Sequence, residues 1–165
     1  MKKISVRSLT RGGVIAALYA ACSIALAPIS FGLVQLRVSE ALTLLPVLTP
    51  TAVAGVTVGC LITNAWGVAA GANILGAADV LLGTAATLAA ALMTRRLRKH
   101  PLLAAVPPVV CNAVVIGAEL TFAETGRFPA ALLFANMGQI AMEEGAACFL
   151  LGLPLLTLAK RIHWE

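Results

Sequence analysis

Five stretches of the chain are apolar for long enough to cross a bilayer: residues 12–30, 51–70, 76–94, 101–122 and 128–159. A helical crossing needs about 20 such residues. The runs are continuous rather than alternating, and an unpaired backbone amide costs several kcal/mol in hydrocarbon, so the pattern predicts helices and not the strands of a barrel. A sixth stretch, Val38 to Thr49, spans 12 residues and contains Pro46, so apolarity alone leaves it between a short crossing and an interfacial turn. The last run is too long for a simple span, because its 32 residues exceed the hydrocarbon layer at about 1.5 Å of rise each. It must tilt, kink or protrude. Pro129 suits its first turn, and Gly145, Gly152 and Pro154 offer places to bend.

The basic residues settle the sixth stretch. They gather in an N-terminal group (Lys2, Lys3, Arg7, Arg11), in Arg95-Arg96-Leu97-Arg98-Lys99, and in Lys160-Arg161. If all three groups are cytoplasmic, as the excess of Lys and Arg on inner loops predicts, even numbers of crossings must separate them. Two runs lie between the second and third groups, and three long runs lie between the first and second, so Val38 to Thr49 has to cross as well. The expectation is an all-α integral membrane protein, one membrane domain over residues 1–165, with a bundle of about six transmembrane helices (12–30, 38–49, 51–70, 76–94, 101–122, 128–159). Its N- and C-termini are both cytoplasmic. Ten of the twelve Lys and Arg residues then fall inside, all but Arg37 and Arg127.

Composition agrees with lipid as the solvent: 60% of residues are hydrophobic and 12% charged, with a mean hydropathy of +0.96. A net charge of +5 would suggest nucleic acid in a soluble protein, but here the cations flank apolar runs, where orientation signals belong, and that partner is excluded. Cys22, Cys60, Cys111 and Cys148 sit one to a run, without a CxxC pair or a nearby histidine, and are read as small packing residues; no metal site and no cofactor are expected. The basic N-terminus and Ala25-Leu26-Ala27 resemble a secretory signal, but Pro28 follows the would-be cleavage site, so the segment is read as the first span.

The acidic residues fall in a pattern of their own. Glu165 alone lies at the cytoplasmic tail; Glu40, Asp79, Glu119 and Glu124 lie near the outer ends of spans, and Glu143 and Glu144 lie deep in the last. A charge within a span costs about 2.5–3.5 kcal/mol, so such groups usually face a polar interior. Gln35, Asn64, Trp66 and Asn73 accompany them near the outer face, Asn112 shares a helical face with Glu119, and Asn136, Gln139 and Glu143 follow at i, i+3 and i+7. Together they describe an outward-opening polar pocket with Trp66 to stack on a planar solute and carboxylates to accept its protons. Structural readings stand beside these. Arg37 and Glu40 can neutralise each other across a turn, Trp66 can anchor at the interface as Trp164 does, and Asn112 and Asn136 can tie helices together. Glu143 and Glu144 point about 100° apart, so one of them bonds a neighbouring helix or is protonated. Ala16 and Ala20, with the offset series Ala17, Ala21 and Ala25, form small faces that suit packing within the bundle or an external membrane partner.

Enzymatic readings find no support. No GxxxxGK[ST] phosphate loop, HExxH or GxSxG occurs, His100 and His163 fall on the cytoplasmic side, and no nucleophile–base pair is plausible within the membrane. An ATP-dependent function would take its ATPase from partners, and six short spans without an internal repeat make a poor stand-alone transporter.

The run Ala27-Pro28-Ile29-Ser30-Phe31-Gly32-Leu33-Val34-Gln35-Leu36-Arg37-Val38-Ser39-Glu40-Ala41-Leu42-Thr43-Leu44-Leu45-Pro46 resembles the signature of the QueT family of queuosine-precursor transporters, most specifically in V-Q-x-R-x-S-E-A-L. The resemblance implies the substrate-binding S component of an energy-coupling-factor (ECF) importer in a prokaryotic plasma membrane. Its partners would be a transmembrane coupling subunit and two cytoplasmic ATPases, with the Ala16/Ala20 stripe docking on the coupling subunit. The solute would be 7-cyano- or 7-aminomethyl-7-deazaguanine. Gln35, Arg37, Glu40, Asn64, Trp66, Asn112, Glu119 and Asn136 are the residues expected to bind it. Two readings from other classes remain: a proton-coupled homo-oligomeric carrier using Glu143 or Glu144, and an assembly protein with no ligand, which leaves the outer polar set without a purpose.

Overall fold

The structure, a computed structural model, describes residues 5–32 and 34–161; Lys2, Lys3, Leu33, His163, Trp164 and Glu165, on which the sequence placed expectations, lie outside that range. Every regular element within it is helical. We label the longer helices α1 (Val6–Ala25), α2 (Thr51–Ala69), α3 (Ala77–Arg96), α4 (Val106–Thr125), α5 (Ala130–Gly145) and α6 (Leu153–Arg161). A 3-10 helix, Val38–Val47, lies between α1 and α2. Five segments are long and apolar enough to cross a membrane, the last of them running unbroken over Ala130–Arg161.

The ends of these helices follow local chemistry. Ser5 caps α1 by accepting a hydrogen bond from the Ser8 amide at 3.2 Å. Pro107 and Pro108 sit where α4 begins and needs no amide partners, and Gly126 closes that helix in the left-handed region at φ 66°. The long final segment widens into a π-helix over Ala146–Gly152, between Gly145 and Pro154, the interval in which the sequence offers its bends. Pro154 brings no amide and its ring presses on the turn below, and the wider i to i+5 pattern accommodates both.

Small residues draw the bundle together. A Cβ on Gly59 would stand 2.7 Å from the Tyr19 Cβ and 3.0 Å from the Ala16 carbonyl oxygen, so α1 and α2 meet backbone against side-chain root. Ile15, Tyr19, Leu45, Ala52, Val56, Cys60, Ala91 and Ala159 form the largest buried cluster, which joins α1, α2, α3, α6 and the 3-10 helix. The distribution is that of a membrane protein. Leu81, Phe134, Met142 and Leu150 on the outside are each more than 70% exposed, while Arg37, Glu40, Asp79 and Glu144 are each 5% exposed or less.

The 3-10 helix lies at the centre. It starts beside the second half of α1, where Ser39 and Ser23 share a hydrogen bond at 2.6 Å. At its far end the Arg95 guanidinium donates to the carbonyls of Pro46 and Val47 at 3.0 and 3.1 Å, closing two terminal acceptors. It turns once every three residues and therefore stacks Glu40, Thr43 and Pro46 in one straight row, all buried, with Arg37 at its N-cap. Thr43 faces Cys148 of the π-helix.

Candidate functional site

Arg37 precedes the 3-10 helix and is held from five directions. Its Nε donates to the Ser30 carbonyl (3.2 Å), one terminal nitrogen to Asn64 Oδ1 (3.2 Å), and the other to Gln35 Oε1 (3.2 Å) and Asp79 Oδ2 (3.1 Å). The guanidinium carbon lies 5.6 Å from the centre of the buried Phe31 ring. Asp79, at the start of α3, also accepts from Asn73 Nδ2 at 2.7 Å, and its carbonyl accepts from Asn64 Nδ2 at 2.9 Å. Gly83 makes this possible: a Cβ there would collide with the Asp79 carboxylate and approach Asn64 Nδ2 at 3.0 Å. The partner of Arg37 is thus Asp79, 42 residues away, and not Glu40 three residues away. Glu40 turns toward α1 instead and accepts a hydrogen bond from the Tyr19 hydroxyl.

A second group is built from the loop before Arg37 and from α4 and α5. The Gln35 amide donates to Glu143 Oε2 at 2.9 Å, and Gln139 Nε2 donates to Glu143 Oε1 at 3.0 Å. Asn112 Nδ2 donates to Glu144 Oε1 at 2.9 Å. Glu143 and Glu144 therefore take different partners, as a separation of about 100° requires. Between the two groups lies a cavity of about 10 Å³ lined by Gln35, Arg37, Gly83, Asn112, Ile116, Ile140 and Glu144. Three polar atoms on these lining residues have no hydrogen-bond partner among the described residues: Gln35 Nε2, Asn112 Oδ1 and Glu144 Oε2. All three side chains are at least nine-tenths buried. A buried polar group left unsatisfied costs about 1–3 kcal/mol, so three on the walls of one cavity mark a place built to be completed by something else. One is a donor and two are acceptors.

The expected site residues divide accordingly. Gln35, Arg37 and Asn112 line the cavity, and Asn64 backs it by holding Arg37. Glu40 lies one turn behind Arg37, with Oε2 unpartnered among the described residues. Trp66 is 37% exposed and meets the group at Phe31, its ring tilted 40° at 6.1 Å. Asn136 stands apart and joins α5 to α4 by donating to Thr121 Oγ1 at 3.1 Å. Glu119 also stands apart: both its carboxylate oxygens lack partners among the described residues, and it borders an apolar groove of about 900 Å³ between α3 and α4. Ala16 and Ala20 are buried, Ala16 with its carbonyl against Gly59 of α2, whereas Ala17, Ala21 and Ala25 are exposed. Asp79, Glu143 and Glu144, which the sequence shows only as intramembrane acids, join the site, as does Tyr19 behind it. For Glu144 a signal was present: it lies four residues after Ile140 and eight after Asn136, on the face that turns inward.

A helical bundle with an apolar exterior and a polar, charge-bearing cavity inside is the architecture of a multi-pass membrane protein with an internal polar site. The family comparison agrees: residues 9–161 match the model of the QueT transporter, and the chain belongs to that family of plasma-membrane transporters of a queuosine precursor. No curated protein and no solved structure matches the chain.

Proposed function

We propose that this chain is the substrate-binding S component of an ATP-driven ECF importer, and that it captures a 7-deazaguanine in the cavity between Arg37 and Glu144. The observation that carries the reading is the convergence of Gln35 Nε2, Asn112 Oδ1 and Glu144 Oε2 on one buried cavity, inside a chain of this family. A 7-deazaguanine offers a carbonyl for the Gln35 side-chain amide and hydrogen-bond donors, on the ring or on its 7-substituent, for the two acceptors, and the Arg37 group supplies a fixed wall. A cavity of about 10 Å³ holds no more than one water. Solute entry therefore requires its roof to move. Leu75, in the α2–α3 loop, packs on Ala113, Ile116 and Ile140 above the cavity, and Gly71 and Gly76 bracket that loop with φ of 66° and 70°.

On this reading the membrane is crossed six times, with both termini cytoplasmic. The 3-10 helix makes the sixth crossing: ten residues at about 2.0 Å each reach about 20 Å, further than an α-helix of equal length. Its contacts with Ser23 at one end and Arg95 at the other support this. Energy comes from a transmembrane coupling subunit and two ATPases. The face offered to the coupling subunit is the exposed Ala17, Ala21 and Ala25, since Ala16 and Ala20 are buried within the bundle.

The test is saturable binding of radiolabelled 7-aminomethyl-7-deazaguanine to the purified protein in detergent, with guanine as competitor and Asn112→Ala as control. Selective binding lost in the variant supports the assignment. Absence of binding by folded protein sinks the solute assignment.

A further inference from the structure

We propose that Glu144 is the residue that sets charge specificity, taking the ammonium of an aminomethyl-bearing 7-deazaguanine and excluding its neutral 7-cyano counterpart. The inference rests on the function proposed for this cavity and goes one step further, to the choice between two solutes that share a ring.

The argument begins with charge. Arg37 is matched by Asp79 at 3.1 Å. Among the described residues, the hydrogen bonds to Glu40, Glu143 and Glu144 around the same interior come from neutral donors: a phenol, a backbone amide with a glutamine side chain, and an asparagine. A carboxylate in so dry a place gains most from a cation, and charge-assisted hydrogen bonds are about twice as strong as neutral ones. The interior thus favours a solute that brings a positive charge.

Geometry then selects the carboxylate. A planar N–H edge of a guanine-like ring is read best by two oxygens of one carboxylate. Glu144 cannot offer two, because Oε1 already accepts from Asn112. What remains is Glu144 Oε2 with Asn112 Oδ1, two acceptors on two different planar groups. Such a pair suits an ammonium, whose three donors splay from one nitrogen. It repels a nitrile, whose terminal nitrogen is itself an acceptor. Gln35 Nε2 is the unused donor for the ring carbonyl, which lies next to the C7 substituent and so enters beside the ammonium.

The experiment measures dissociation constants of both solutes, 7-aminomethyl- and 7-cyano-7-deazaguanine, for the full-length protein and for Glu144→Gln and Glu144→Asp. The wild-type protein is expected to favour the aminomethyl compound at least about 10-fold, the weight of one charge-assisted bond. Glu144→Gln is expected to abolish that preference, weakening the aminomethyl compound at least about 10-fold while the cyano compound is not weakened; an unchanged melting temperature shows that the variant is folded. Glu144→Asp, which keeps the charge, is expected to restore the preference in part. Equal loss of both solutes in Glu144→Gln, or no loss of either, overturns the proposal, and so does a wild-type protein that does not discriminate. If the wild-type protein binds neither compound, the 7-deazaguanine reading itself fails and this proposal falls with it.

Discussion

The Arg37–Asp79 pair is the feature whose removal has the most calculable effect. Asp79→Asn removes the carboxylate that accepts from Arg37 and leaves the guanidinium with three neutral acceptors, on Ser30, Asn64 and Gln35. Bonds from a charged donor contribute about 1.5–3 kcal/mol each, but none of these acceptors carries the opposite charge that the cation loses. Breaking a buried ion pair from one side costs about 3–5 kcal/mol. Arg37→Gln should cost a similar amount, since it strands the Asp79 carboxylate with the side-chain donor Asn73. The double variant Arg37→Gln/Asp79→Asn replaces two opposite charges by two amides and should lose only about 1–3 kcal/mol, the cost of imperfectly satisfied polar groups. The predicted coupling is therefore about 3 kcal/mol or more, whereas independent sites add to within about 0.5 kcal/mol. The assay is reversible unfolding in mixed micelles, run on all four proteins at one detergent composition. Additive losses would refute the reasoning, for they would mean that the charges are compensated elsewhere.

Other outcomes are expected at separate places. Gly83→Ala should abolish solute binding, measured by equilibrium dialysis, because the new Cβ displaces the Asp79 carboxylate from Arg37. Tyr19→Phe should lower stability by about 1–3 kcal/mol, read from thermal unfolding, since Glu40 loses the hydroxyl that satisfies it. Ala17→Trp with Ala21→Trp should prevent copurification with the coupling subunit without lowering the melting temperature, while Ala20→Leu should lower it, because only Ala20 of these is packed inside the bundle. A cysteine at Lys99 should react with an impermeant maleimide in inverted vesicles and not in intact cells; the reverse would overturn the proposed orientation.

The long helices could be read from the chain because a run of apolar residues is a local property, and length alone separates a span from a loop. The 3-10 helix could not. Its residues are apolar enough, but nothing local announces three residues per turn, and Pro46 argues against any regular helix; burial on nearly every side is what holds it. The site was legible to the same degree. Gln35, Arg37 and Asn112 stood out as polar groups in apolar surroundings. The pairing of Arg37 was not legible, because Glu40 is near in sequence and Asp79 is near only after α2 has returned the chain. The alanines of α1 show the same limit. Ala16 and Ala17 are equivalent in composition, and only the position of Gly59 on α2 decides which of them is covered.

The straight row formed by Glu40, Thr43 and Pro46 bears on how the segment can change over time. Gaining or losing one residue in an α-helix rotates the remainder of the helix by about 100°, and three or four such steps still leave its face about 40–60° away from where it began. At three residues per turn, an indel of three restores the face, shifted by about 6 Å along the axis. Related chains that gain or lose residues here in threes would therefore keep that face. Aligned on that rule, their polar residues would stay in a single file while the apolar ones between them drift.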